Sequence, residues 1–213
     1  MSLSSRSRTP LALVAKPSRR DVADAELAQG LVAREDWAMG ETWVRFAPMV
    51  LVLAERVLGS KPDAEDLAQE VFGRVHDKVK TLREPASLRS FVYSIAIRTL
   101  KSELRYRRLK SWLSFRDPAD LVDFRHVTED VESRDLVAKV HALLNRLSPR
   151  DKLVFVLKRV ETMTVEEIAV AMDISESTVK RSLAHASQRL TRWLEADPAL
   201  GQALGTQLGM RSE

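Results

Sequence analysis

The stretch from Ser148 to Leu190 carries its own punctuation for three consecutive helices, and any fold for this chain must accommodate it. Ser148-Pro149-Arg150-Asp151 reads as a helix start, with an N-cap serine and a proline in the first turn. Thr164-Val165-Glu166-Glu167 is a capping box that opens a second helix, and Ser175 caps a third beginning near Glu176. Ile168, Ala169 and Met172 then share one helix, Asp173-Ile174-Ser175 forms the turn, and Val179 and Leu183 lie on the next. This is the spacing of a helix-turn-helix, in which a small alanine lets the helices approach and the turn isoleucine plugs the angle between them. Asp173 stands where the turn needs a left-handed backbone, which aspartate tolerates. The outer face of the third helix carries Ser177, Thr178, Lys180, Arg181, Ala184, His185 and Gln188. Helix N-terminal amides and hydroxyls suit phosphates, and Lys180 and Arg181 can reach phosphates or guanine edges in a major groove. A solvated helical hairpin would share the periodicity, but not the capping, the turn and the charge together. The block reads as a duplex-DNA reader.

Upstream, from Val22 to about Trp112, the pattern is helical almost throughout. Ala64, Leu67, Ala68, Val71, Phe72, Val75 and Val79 recur at steps of three and four, with Pro62 and Asp63 at the expected helix start. A second stripe runs through Leu88, Phe91, Val92, Ile95, Ala96, Leu100 and Leu104, and Pro85 breaks the chain between the two, leaving a loop at 82–87. No period-two pattern competes. The expected fold is all-α: two small helical domains, 21–111 and 132–195, the second containing the helix-turn-helix. A flexible acidic linker, 112–131, joins them. From Asp120 to Asp135 six acids face only Arg125 and Arg134. About 20 extended residues reach at most roughly 70 Å, enough for the domains to engage separate sites on one partner. A disordered basic arm, 1–20, precedes them and a tail, 196–213, follows.

The net charge of +4 is misleading, because the arm alone carries Arg6, Arg8, Lys16, Arg19 and Arg20 without an acid. The nucleic-acid reading rests on local segregation instead: between Arg89 and Arg116 eight Lys/Arg stand against the single acid Glu103. In the helix at 88–109, Phe91 and Tyr93 interleave with Arg89, Arg98, Lys101, Arg105, Arg107 and Arg108. Rings for stacking beside cations for the backbone are what an unpaired strand requires. Phe91 is expected partly in the core, and Tyr93 as the more exposed ring. On the helix at 63–79, Asp66, Gln69 and Glu70 share one patch. Carboxylates there could suggest metal or acid/base chemistry, but an exposed helix face offers no desolvated pocket to shift a pKa, so the patch reads as a docking surface for a basic protein partner. The four histidines are scattered and there is no cysteine, which excludes disulfides, thiolate zinc and cysteine nucleophiles. No apolar run approaches the ~18–20 residues that span a bilayer. These features lead us to expect a cytoplasmic protein, not membrane-embedded, with no catalytic residues, no cofactor, no metal and no small-molecule substrate.

Taken together, Asp63-Ala64-Glu65-Asp66-Leu67-Ala68-Gln69-Glu70-Val71-Phe72, Ser90-Phe91-Val92-Tyr93-Ser94-Ile95-Ala96 and the helix-turn-helix after Leu147-Ser148-Pro149 closely resemble bacterial RNA polymerase sigma factors. The two-domain layout is similar to the extracytoplasmic-function (ECF) group of the sigma-70 family. The resemblance implies a subunit that binds core RNA polymerase and directs recognition of the minus-thirty-five and minus-ten promoter elements. It implies that Asp66, Gln69 and Glu70 dock on the clamp coiled coil of the beta-prime subunit, with the beta subunit as a further contact. It implies that the loop 82–87 with Arg89, Phe91 and Tyr93 captures the unpaired minus-ten strand, that Arg98, Lys101 and Arg105 meet upstream backbone, and that Lys180, Arg181, Ala184 and His185 read the minus-thirty-five element. It also implies an anti-sigma partner. The chain departs from the group's pattern at Phe91, Ser94 and Arg98, where tryptophan, arginine and asparagine are usual. The competing expectation is a free-standing helix-turn-helix regulator whose first domain senses a signal or dimerises, and the Asp66/Gln69/Glu70 patch discriminates the two.

Overall fold

In the computed structural model, which describes residues 22–113 and 131–196, every regular element of the described residues is helical. The first domain begins with α1 (Asp24–Val32) and α2 (Asp36–Leu58). Gly59, at φ 74°, turns the chain sharply after α2, a conformation that favours glycine. Ser60 then accepts a hydrogen bond from the Asp63 amide at 3.4 Å and starts α3 (Lys61–Lys78), with Pro62 in its first turn. The helix thus opens at Lys61, one residue before Pro62, because the serine caps it. α3 buries Ala64, Leu67, Ala68, Val71, Phe72 and Val75, the stripe expected from the spacing. Two short 3-10 turns, Val79–Thr81 and Pro85–Ser87, lead into α4 (Leu88–Leu113). α2, α3 and α4 pack on one another, and Trp43 meets Phe72 at 4.7 Å between ring centroids.

The second domain comprises α5 (Val131–Asn145), α6 (Pro149–Arg159), α7 (Val165–Met172) and α8 (Glu176–Ala196). The caps read from the sequence are present: Ser148 accepts from the Asp151 amide at 3.1 Å, and Thr164 and Glu167 form a reciprocal capping box. The expected arm, the segment 114–130 of the expected linker and residues 197–213 of the tail lie outside the described residues.

α6 departs from a surface helix in one respect. Every residue from Asp151 to Leu157 is buried, whereas a helix covered on one side buries only a stripe. Its own domain covers it with α5, α7 and α8, and α2 and α4 of the first domain cover the rest. The buried apolar residues of both domains accordingly form one continuous cluster. Periodicity had suggested two bodies, each with its own apolar face; it held no sign that those bodies share a boundary.

Candidate nucleic-acid interface

The helix-turn-helix is built from α7 and α8. α7 ends in a Schellman closure: Asp173 is left-handed at φ 54°, its amide donates to the Val170 carbonyl at 3.3 Å, and the Ile174 amide donates to the Ala169 carbonyl at 3.0 Å. The aspartate therefore fills the role foreseen for it. Ser175 receives the Thr178 amide at 3.3 Å, which starts α8. Val179, Ser182, Ala186 and Leu190 form the buried face of α8. Opposite them Ser177, Lys180, Arg181, Ala184, His185 and Gln188 are exposed and Thr178 is half-buried. The hydroxyls are partly committed locally, since Ser175 Oγ lies 2.9 Å from both Ser177 Oγ and Thr178 Oγ1. Lys180 pairs with Glu176 across one turn at 3.6 Å, a surface pair that leaves its ammonium mobile.

His185 is the member of this set with a buried partner. Its Nδ1 lies 2.8 Å from Oδ2 of Asp151, which projects from the first turn of α6. Burial pushes the Asp151 carboxyl up, but hydrogen bonds from His185, Ser148 and Ser182 outweigh it and hold the group below its usual range. Nearby on α6, Lys152 is buried, donates to Asn145 Oδ1 at 2.5 Å, and is pushed down to about 7 by burial and then by Arg107 of the first domain. His141 of α5 is likewise lowered to about 4 by burial and then by Lys152.

On α4, Arg89, Arg98 and Arg105 are exposed, Phe91 is half-buried against the core, and Tyr93 and Lys101 are engaged by the second domain. The Tyr93 hydroxyl donates to Glu161 at 3.3 Å, and Glu161 also accepts from Arg56 of α2 at 2.7 Å. Burial and then the Glu161 carboxylate hold the Tyr93 hydroxyl above its ordinary range, so it remains a donor. Lys101 donates to the Met172 carbonyl at 2.9 Å, and burial followed by Arg105 lowers its pKa. Tyr93, expected as the more exposed of the two rings, is half-buried like Phe91 and is engaged by the second domain. A cleft of about 540 Å³ separates the two domains here, with Arg89 and Tyr93 on one wall and Glu161, Glu166 and Glu167 on the other. Arg107, counted with the basic stretch, is instead tied to Glu103 at 2.7 Å and Asp63 at 3.0 Å, where it pins α4 to the start of α3.

Asp66, Gln69 and Glu70 are exposed together on α3, opposite its buried stripe, and Glu70 pairs with Arg74 at 2.5 Å. Among the described residues no group of three or more acids, histidines or cysteines could hold a metal ion. Glu161 and Asp151 carried no signal in the sequence. One sat in a polar turn and the other looked like an ordinary first-turn acid; only the partners that tertiary packing brings from Arg56, Tyr93 and His185 distinguish them.

Two protein-family models match the chain: sigma-70 region 2 over residues 43–110 and sigma-70, region 4, over residues 138–190. The RNA polymerase sigma-E factor of Streptomyces coelicolor is 30% identical over 165 residues, which cover 77% of this chain and 90% of that protein. The sigma-H factor of Pseudomonas aeruginosa is 25% identical over 84% of this chain and 97% of its own length. The ferric citrate uptake sigma factor FecI of Escherichia coli is 29% identical over 62% of this chain and 76% of its own. Among solved structures, CnrH in complex with the cytosolic domain of CnrY superposes with a TM-score of 0.56 at 21% identity, covering 83% of this chain and 99% of CnrH, a likeness of fold.

Proposed function

The chain belongs to the sigma-70 family of RNA polymerase sigma factors, in its extracytoplasmic-function group, and on that premise we propose how its two domains divide the work of promoter recognition. As a sigma factor it binds core RNA polymerase and directs it to the minus-thirty-five and minus-ten elements at which transcription initiates. In this reading α8 lies in the major groove of the minus-thirty-five duplex. Arg181 and Lys180 supply the cations, and Ser177, Thr178, Ala184, His185 and Gln188 complete the face. The exposed recognition face of the capped helix-turn-helix is the observation that carries the assignment.

α4 holds the melted minus-ten strand, with Arg89, Phe91 and Tyr93 near the bases and Arg98, Lys101 and Arg105 on the backbone. Tyr93 and Lys101 cannot serve DNA while bonded to Glu161 and Met172, so polymerase must part α4 from α7 for strand capture. Two DNA contacts, each weak alone, become selective when polymerase fixes their separation, because the second contact then forms at a high effective concentration. The domain boundaries at 111/112 and 131/132 suit that separation. The acidic patch Asp66, Gln69 and Glu70 docks on the basic clamp coiled coil of the beta-prime subunit, and the second domain contacts the beta subunit. A protein partner of the anti-sigma type is proposed too, since CnrH, which shares this fold, is in complex with the cytosolic domain of CnrY. No described helix is long and apolar enough to cross a membrane; partnership with a cytoplasmic polymerase supports a cytoplasmic location. We assign it no catalysis of its own and no cofactor.

The test is association with core enzyme. Asp66→Ala with Glu70→Ala removes two exposed carboxylates and leaves the buried stripe of α3 intact. Co-purification with core polymerase should fall by roughly an order of magnitude or more, as expected for rim charges that steer docking, at an unchanged melting temperature. Undiminished co-purification refutes the docking assignment.

A further inference from the structure

Asp151 is 5% exposed, and its carboxylate faces the His185 ring of α8, with the buried Ser182 one turn earlier on the same helix. α6 therefore holds the recognition helix at His185. An ionised carboxylate can only accept, so the ring nitrogen facing it must carry a proton. That nitrogen is Nδ1, at 2.8 Å. The His185 side chain remains 52% exposed, and Nε2 is the ring nitrogen left for contact with anything outside.

A neutral imidazole with its proton on Nδ1 has a lone pair and no hydrogen on Nε2. A phosphate oxygen offers it nothing, because both groups accept. In the major groove the donors within reach are the exocyclic amino groups of adenine and cytosine. Resting on the assignment of α8 to the minus-thirty-five duplex, we propose that Asp151 is a positioning residue for promoter reading: it holds the His185 proton on Nδ1 and presents Nε2 as an acceptor for the amino group of an adenine or cytosine. His185 is then a reader of sequence, and Asp151 selects whether it accepts from a base amino group or donates to a base acceptor. The same logic operates where a carboxylate fixes the tautomer of a catalytic or metal-bound histidine.

The experiment uses holoenzyme assembled from core polymerase and the full chain, on linear promoter duplexes whose upstream hexamer is randomised, at pH 8. The wild type should enrich adenine or cytosine at one position of the element. His185→Ala alters an exposed side chain and should abolish that preference by roughly 5- to 100-fold, the range for one base contact, while the other positions stand. Asp151→Asn should change it, not merely weaken it. The amide donates to Nδ1, the ring proton moves to Nε2, and the preference for an amino group gives way to edges that present an acceptor (guanine N7 or O6, thymine O4, adenine N7), so cytosine is rejected. Nitrogen NMR of the free full-length protein reads the tautomer directly: Nδ1–H in the wild type and Nε2–H in Asp151→Asn. The proposal is overturned if His185→Ala weakens all sequences equally, if Asp151→Asn loses affinity without changing preference, or if the wild-type ring carries its proton on Nε2. Failure of wild-type holoenzyme to select any upstream element would overturn the function of α8 itself, a distinct result.

Discussion

Glu161, in the turn between α6 and α7, ties α2 and α4 to the second domain, and its removal should be measurable as a loss of interdomain free energy. Glu161→Met keeps the length of the side chain and removes both its charge and its acceptor oxygens. The Arg56 pair is short at 2.7 Å, but the Arg56 side chain is 48% exposed, so solvent screening limits the pair to about 0–1 kcal/mol. The Tyr93 hydrogen bond is long at 3.3 Å yet reaches a charged acceptor in a half-buried site, which contributes about 1 kcal/mol. Together the substitution should lower the unfolding free energy by about 1–2 kcal/mol, with the urea m-value unchanged because the exposed surface is the same. Because the two domains share one apolar cluster, the transition should remain a single cooperative step. Tyr93→Phe alone should lose about 1 kcal/mol, and the double variant should fall short of additivity by about 0.5–1 kcal/mol. Urea denaturation followed by circular dichroism measures all four corners of this cycle. Additivity within about 0.3 kcal/mol would show that Tyr93 and Glu161 do not bond across the domain boundary, and the covered state of α4 would then need another explanation.

Lys152→Met should stabilise the protein at neutral pH by about 1–3 kcal/mol, since a buried cation is replaced by an apolar chain of similar length. The folded pKa of Lys152, about 7, lies below its unfolded value. The unfolded chain therefore binds more protons between those two values, and wild-type stability gains a rising component from about pH 7 to pH 10 that the variant lacks; urea midpoints across that range measure it. Thr162 sits at φ 56°, a strained conformation for a β-branched residue, so Thr162→Gly should raise the unfolding free energy by about 0.5–1.5 kcal/mol in the same assay. Arg181→Ala should cost about 1–3 kcal/mol of binding only on promoters that depend on their minus-thirty-five sequence if the guanidinium grips a guanine; equal losses in transcription from all templates would assign it to phosphate.

What the sequence determined by itself is what local physics controls. Ser148, Thr164 with Glu167, and Ser175 cap their helices because each partner lies three residues away. The stripes of α3 and α4 bury as their spacing requires, and Asp173 takes the left-handed conformation that closes α7. The exposed faces of α3 and α8 follow from the same periodicity, which is why Asp66, Gln69, Glu70, Lys180 and Arg181 could be named from spacing alone. The tertiary structure alone decided which of those faces meets another. Tyr93 was read as the more exposed ring of its pair and Glu161 passed unremarked, and the two bond across 68 positions of chain. His185 and Asp151 stand 34 apart, yet their side chains meet at 2.8 Å. Such pairings arise because α6 needs cover on every side and its own domain supplies only part of it. Hydrophobic burial has no direction along the chain, so a sequence pattern can show that a face must be covered without showing what will cover it.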